Sequence, residues 1–355
     1  QNHSAFFTQT KINEKITDTF YDNIKHDKTE EENDYYKEFK NVKNNLKYFN
    51  KFKKIYNAST ADFHTLISVD DFIEVGKEFN KGVTHYEIAH QFQYDDITQF
   101  VWLDDQKKKA IVVAFDVENV IQSLYLKPYV IFPETDQKFT KNKYRMPIEQ
   151  EWFVFWGGTN EFVNYHYPYE QQRYAYDLII MKDGRSYMDS PTLNANYYAF
   201  NADVVAPYAG EVITVVSDIK DNVPGEMDEE NAAGNYIVIA HPNKEYSMIA
   251  HFKKDSIVVK PGDTVKEGQL LGQCGNSGNS SEAHIHFQVM DKADMNEAKS
   301  IRIQFQDDFE PIQGDIVKPL PFKDHSEEKF DKVENSFSIV EMIQMIPKVI
   351  GQLFK

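Results

Sequence analysis

A chain of 355 residues has room for two domains of roughly 100–200 residues each, and its 26 Phe and 21 Tyr exclude a disordered polymer. A net charge of −17 excludes the clustered Lys and Arg that phosphate binding needs, and with it a nucleic-acid partner. The same charge opposes simple attraction to anionic membranes or anionic wall polymers, and the single cysteine, Cys274, excludes an intrachain disulfide or a cysteine-rich metal site.

The first residues, Gln1-Asn2-His3-Ser4, lack the basic and apolar regions of a signal peptide, so the chain is expected to be either cytosolic or a mature form without its leader. Residues up to about Asn80 read as helical. Ile12, Ile16, Phe20 and Ile24 recur every four positions, and the charged stretch 28–54 is threaded with Tyr35, Tyr36, Phe39, Leu46, Phe49 and Phe52. Ser68-Val69-Asp70-Asp71 reads as a capping box ahead of Phe72, Val75 and Phe79, with Gly82 as the stop. From Val83 the pattern becomes alternation: Tyr86, Ile88, Phe92 and Tyr94 are expected on one strand face, and further strands flank the polar turn 104–109. Helices followed by a strand meander predict an α+β domain over 1–132. That order resembles the cone-shaped, nuclear-transport-factor-like modules found ahead of catalytic domains in some bacterial cell-wall proteins. His85 and His90, single among aromatic strand residues, read as structural.

Residues 133–148, polar and bounded by Pro133 and Pro147, read as a linker. The segment 149–315 reads as an all-β antiparallel domain: Trp152-Phe153-Val154-Phe155-Trp156 forms a strand ending at Gly157-Gly158, and short strands follow, separated by Gly, Pro and Asn turns. Stretches 182–201 and 218–233 interrupt the pattern and read as surface loops, the second acidic through Asp221, Glu226, Asp228, Glu229 and Glu230. In the C-terminal extension 316–355, Ile339, Val340, Ile343, Ile346, Val349, Ile350 and Leu353 predict an amphipathic helix. Glu341, Gln344, Pro347 and Lys348 interrupt it and exclude a transmembrane span, leaving packing on the protein or contact with a surface or protein partner.

The chemistry gathers around three places. Gly275-Asn276-Ser277-Gly278-Asn279-Ser280-Ser281 leads into His284-Ile285-His286 and then into alternating apolar and polar residues. Period two puts both imidazoles on one face, and the small residues let the backbone turn tightly and approach a ligand. Such a pair suits a zinc site, one imidazole coordinating and the other handling protons; two surface histidines are the plain alternative. Asp177 sits in an apolar-aromatic run behind Arg173, where a carboxylate needs either a metal or a buried ion pair. His251, in Ile249-Ala250-His251-Phe252, is on its own equally a satisfied core histidine.

Taken together, and with the repeated Val-x-x-Gly pattern, residues 152–290 resemble the lysostaphin-type (LytM-like) zinc endopeptidases of peptidoglycan, most strongly over 206–289. The Val265-to-Gly272 hairpin alone also fits a biotinyl or lipoyl carrier, but a carrier needs a displayed lysine and leaves the histidines unaccounted for. The resemblance implies one Zn2+ per chain, with Asp177 and His286 as ligands and His251 and His284 as non-ligating catalytic histidines. It also implies hydrolysis of peptide stems or cross-bridges of peptidoglycan by metal-activated water, in an extracellular or cell-wall location. The family's third ligand is a histidine, usually four residues ahead of the aspartate. Arg173 stands there and offers no lone pair; His166, eleven residues ahead, is the nearest candidate. Residues 167–172 would then bulge as a loop and leave Arg173 to pair with an acidic neighbour. Two alternatives follow: a metal-free relative that binds peptidoglycan or activates a hydrolase, and a zinc peptidase acting on a basic peptide.

Overall fold

The computed structural model describes residues 52–321; the helices expected around Ile12 to Ile24, over most of 28–54 and over 337–354 lie outside the described residues. Within them the protein is mainly antiparallel β-sheet with few helices. After a helical turn at 52–57 come α1 (Ala61–Leu66) and α2 (Val69–Phe79). Ser68 caps α2 by accepting from the Asp71 backbone N–H at 3.2 Å while donating to the Asp71 carboxylate at 2.6 Å. The helix buries Phe72 and Ile73 and stops at Asn80, with Gly82 left-handed at φ +81°. Val75, expected on the buried stripe, is exposed.

An antiparallel meander follows: β1 (Tyr86–Tyr94), β2 (Ile97–Asp104), β3 (Lys109–Phe115) and β4 (Ile121–Pro128). Its helix-facing core contains Phe52, Phe72, Tyr86, Phe100, Trp102 and Ile111. The expected common face for Tyr86, Ile88, Phe92 and Tyr94 does not form. Ile88 pairs with Trp102 and His90 with Val101, so Ala89 is a β-bulge and the strand changes face there. Tyr86 joins the helix-facing core, whereas Phe92 and Tyr94 turn to the opposite side and meet Phe153 and Phe155 of the next sheet.

The stretch 133–148 is not a linker. It holds α3 (Pro133–Asp136) and β5 (Phe139–Tyr144), and Tyr144, Arg145 and Ile148 are fully buried. Asn142 is satisfied inside the fold, its Nδ2 donating to Glu245 at 2.8 Å and to the Pro242 carbonyl at 2.7 Å. That is how a polar sequence became a buried strand.

The large sheet is built from β6 (Trp152–Trp156), β7 (Tyr176–Ile179), β9 (Gly210–Val216), β10 (Asn235–His241), β11 (Glu245–Phe252), β12 (Thr264–Val265), β14 (Ile285–Met290) and β16 (Ile316–Val317), in the order β12-β9-β10-β11-β14-β7-β6-β16. β15 (Ser300–Phe305) pairs with β14 and, in parallel, with β5, while β8 (Asp203–Val205) and β13 (Leu270–Gln273) form a separate ribbon. The sheet thus runs past residue 315. Leu178, Ile237, Ile249, Ile285 and Phe287 fill its main core; on the opposite face Met248 and Ala250 of β11 and Met290 of β14 join a smaller apolar cluster, and Asp177, His286 and Gln288 of β7 and β14 are buried polar residues. The two interruptions are more than surface loops: Ser186, Tyr197 and Ala199 are buried, and Asp221 binds the Asn276 and Lys254 backbone N–H groups at 2.7 and 3.2 Å.

Candidate active site

Strand pairing assembles the centre. His286 on β14 lies across from Asp177 on β7 and from Ala250 on β11, so the aspartate and histidine share the sheet face away from the main core. His286 Nδ1 is 2.9 Å from Asp177 Oδ1. The third member comes from a loop. Asn164 sets its Nδ2 among the carbonyl oxygens of Gly158, Arg173 and Ala175 at 3.0, 3.2 and 3.1 Å, pinching the base of the 158–175 loop. Its Oδ1 therefore faces the other way and accepts from His166 N at 3.1 Å and from His166 Nδ1 at 2.9 Å. With its proton at Nδ1, His166 directs a bare Nε2 toward Asp177 Oδ2, 3.5 Å away. That nitrogen is buried with no hydrogen-bond partner. The ligand atoms of His166, Asp177 and His286 lie within 4.8 Å of one another.

Gln288 does for His286 what Asn164 does for His166. It donates through Nε2 to the Gln171 carbonyl at 3.2 Å and presents Oε1 to His286 Nε2 at 3.0 Å. Gln288 thus accepts a proton from His286 Nε2, and Nδ1 faces the aspartate at hydrogen-bond distance, where a bound ion would take the place of the proton it shares with Asp177. Burial, reinforced by the neighbouring His286 and His284, pushes the His166 imidazole down to about 3 against the pull of Asp177, so it is neutral at neutral pH. Burial favours a neutral Asp177, but His166, the His286 hydrogen bond and His284 outweigh it and hold the carboxyl below its ordinary range. Burial also opposes charge on His286, yet Asp177 raises it, so the carboxylate draws positive charge to this point.

Arg173 points away from the cluster. Its Nε donates to the Tyr167 carbonyl at 3.0 Å, its Nη1 to Thr135 Oγ1 at 3.0 Å, and its guanidinium lies 3.6 Å from the centre of the Phe132 ring. The groups that hold it are neutral, in place of the acidic neighbour expected.

Two further histidines edge the cluster. His284 shares its Nδ1 proton between the Glu282 carbonyl at 2.9 Å and Ser280 Oγ at 3.0 Å, leaving Nε2 4.0 Å from Asp177 Oδ2. His251 gives its Nδ1 proton to the Ser277 carbonyl at 2.7 Å, and its ring centre is 4.6 Å from that of His284. Burial, with His284 and His286 nearby, pushes His251 well down, so it too is neutral. His251 is the extra residue of a bulge, because Asn235 pairs with Phe252 and Tyr236 with Ala250; its φ of +67° is a left-handed conformation that costs a non-glycine residue ~1–3 kcal/mol. The bulge aims the ring at the site.

The glycines of the Gly/Asn/Ser loop pack on protein, while Asn279 and Ser281 line the cavity beside the site. A Cβ on Gly275 would lie 2.3 Å from the Lys253 backbone, and left-handed Gly278 abuts Gly234. Ser277 Oγ donates to the Phe252 carbonyl at 2.8 Å. The loop's task is to hold His251 and His284 in register. The structure brings together the five residues singled out from sequence and adds Asn164 and Gln288, which sequence reading missed. For Gln288 a signal existed, since 284, 286 and 288 alternate on one face.

Residues 195–298 match Peptidase family M23; this stretch contains His251, His284 and His286 but neither His166 nor Asp177. Among curated relatives, peptidoglycan DD-endopeptidase ShyA of Vibrio cholerae is 40% identical over 58 residues, 16% of this chain and 13% of that protein. Peptidoglycan DD-endopeptidase ShyB of Vibrio cholerae is 38% identical over 77 residues, 19% of this chain and 18% of that protein. The chain thus spans less than a fifth of the length of these relatives. Among solved structures, the antimicrobial peptidase lysostaphin from Staphylococcus simulans is similar at 20% identity and a TM-score of 0.25, over 43% of this chain and 47% of that one.

Proposed function

We propose that the chain is a zinc metallo-endopeptidase that hydrolyses peptide bonds in the stems or cross-bridges of bacterial peptidoglycan, outside the cell or at its wall. The observation that carries this reading is the buried, partnerless Nε2 of His166 beside Asp177, with His286 Nδ1 close enough to complete a ligand set. A bare imidazole nitrogen buried against a carboxylate is costly without a cation. An ion that accepts nitrogen and oxygen ligands fits the set, and zinc so held keeps net positive charge and an open position. Zinc bound there supplies Lewis-acid activation of water and of the scissile carbonyl.

The rest is done by the chain's own side chains. His251 and His284 each anchor an Nδ1 proton on a backbone carbonyl, so each has Nε2 free to take a proton. Either protonated ring can donate to the oxyanion of the transition state and return a proton to the leaving amine. The M23 match and the DD-endopeptidase names of the relatives support a peptidoglycan peptide as substrate. The rival reading, a metal-free binding or hydrolase-activating module, draws on Arg173; the placement of His166 removes its main support.

The test is elemental analysis of the purified protein together with digestion of purified peptidoglycan, with and without a chelator. About one zinc per chain and chelator-sensitive release of muropeptides are expected. Metal-free protein that binds intact wall without cutting it would favour the rival.

A further inference from the structure

We infer that the β1–β4 sheet is a wall of the substrate cleft, so that the active site is built from both sheets and takes a short, extended peptide segment between them. This rests on the peptidase reading above. A cavity of about 400 Å³ lies over Asp177 and His284, and Gln99 and Tyr125 from the N-terminal sheet face Trp156 and Tyr165 across it. Its size falls in the ~300–1,000 Å³ range of ligand sites.

The wall is fixed in place. Tyr94 brings its ring centre within 4.9 Å of Phe155 and its hydroxyl within 3.0 Å of Ser186 Oγ and 3.3 Å of Glu282 Oε2. Arg185 Nε reaches Asp95 at 3.0 Å, and Lys127 Nζ reaches Glu161 at 2.7 Å. Glu282 is the hinge of the argument, because its backbone carbonyl also holds the proton of His284. The sheet therefore touches the catalytic segment as well as the cavity.

The lining sets the ligand's chemistry. Tyrosine and tryptophan faces suit extended backbone and small side chains, and Gln99 offers an amide to a peptide group. The one cation lining the cavity from the sheet, Lys127, is matched by Glu161, so the carboxylates left to line it are Asp177 and Glu282.

The experiment compares zinc-loaded full-length protein with Tyr125→Ala and Gln99→Ala, using a purified cross-linked muropeptide as probe. Binding is read by quenching of tryptophan fluorescence and turnover by product analysis, with circular dichroism and zinc content as controls. Kd and KM are expected to rise about tenfold in Tyr125→Ala, with kcat within about twofold of the parent, as for lost uniform binding. Unchanged Kd and KM in both variants would overturn the inference, and so would a rise in kcat/KM, which would make the sheet a cover. If the parent binds but does not cut, the Kd comparison still decides the wall, and only the peptidase reading falls. A parent that neither binds nor cuts overturns both.

Discussion

Asn164 makes the long ligand spacing workable, because one side-chain amide closes the 158–175 loop and also sets the tautomer of His166. His166→Ala should therefore abolish stoichiometric zinc, while Arg173→Ala should retain it, since Arg173 faces Thr135 and Phe132. Mass spectrometry under native conditions reads both, and zinc retained by His166→Ala would remove that residue from the centre. Gln288→Ala should weaken zinc ~10–100-fold without abolishing it, as expected for a partner that orients a ligand. His284→Ala and His251→Ala should keep zinc yet lose ~10²–10⁴-fold in turnover. Either variant purifying metal-free would reassign that histidine. At this scale much was legible: His-x-His on a strand, an aspartate among aromatics and a histidine in an apolar run are local patterns. Asn164 was not, because its role exists only once Gly158, Arg173 and Ala175 converge.

Strands were legible as strands, but their faces were not always. Alternation predicts a face only while the ladder is regular, and bulges break it, among them those at Ala89 in β1, at Phe155 in β6 and at His251 in β11. The first two turn Phe92, Tyr94 and Phe155 toward each other; the third turns a histidine into the centre. Where they meet, burial pushes the Glu282 carboxyl up from 4.5 to about 7, against the Ser186 and Tyr94 hydroxyls that favour its ionised form. Its pKa is thus higher folded than unfolded. The folded state keeps a proton that the unfolded chain releases, so this contribution is complete below about 4.5 and is lost as pH rises through about 7. Glu282→Gln should flatten that part of the stability profile. Denaturant melts of parent and variant from pH 4.5 to 8 check it, and parallel profiles would show that Glu282 does not titrate in this window.

At the level of the whole molecule, a two-part chain was legible from the change of pattern, but a polar stretch between the parts concealed β5, and nothing in sequence revealed how tightly the parts join. Phe92 on Phe153, Tyr129 stacked on Phe162 at 6.2 Å and Phe132 against Tyr167 at 5.2 Å make one continuous aromatic seam. Such a seam couples the unfolding of the two sheets, since opening one exposes apolar surface on both. The proposed centre lies on β7, β14 and the 158–175 loop, and a ligand that binds only the folded form stabilises by RT ln(1 + [L]/Kd), ~4 kcal/mol at a thousandfold excess over Kd. Calorimetry of the full-length protein should therefore show the β1–β4 sheet and the large sheet melting in one transition that moves upward as a whole with added zinc. Trp102 in the first sheet and Trp152 in the second are both buried, so each reports its own part when the other and Trp156 are replaced by Phe. If the transition seen through Trp102 stayed in place while that seen through Trp152 rose, the seam would not couple the sheets.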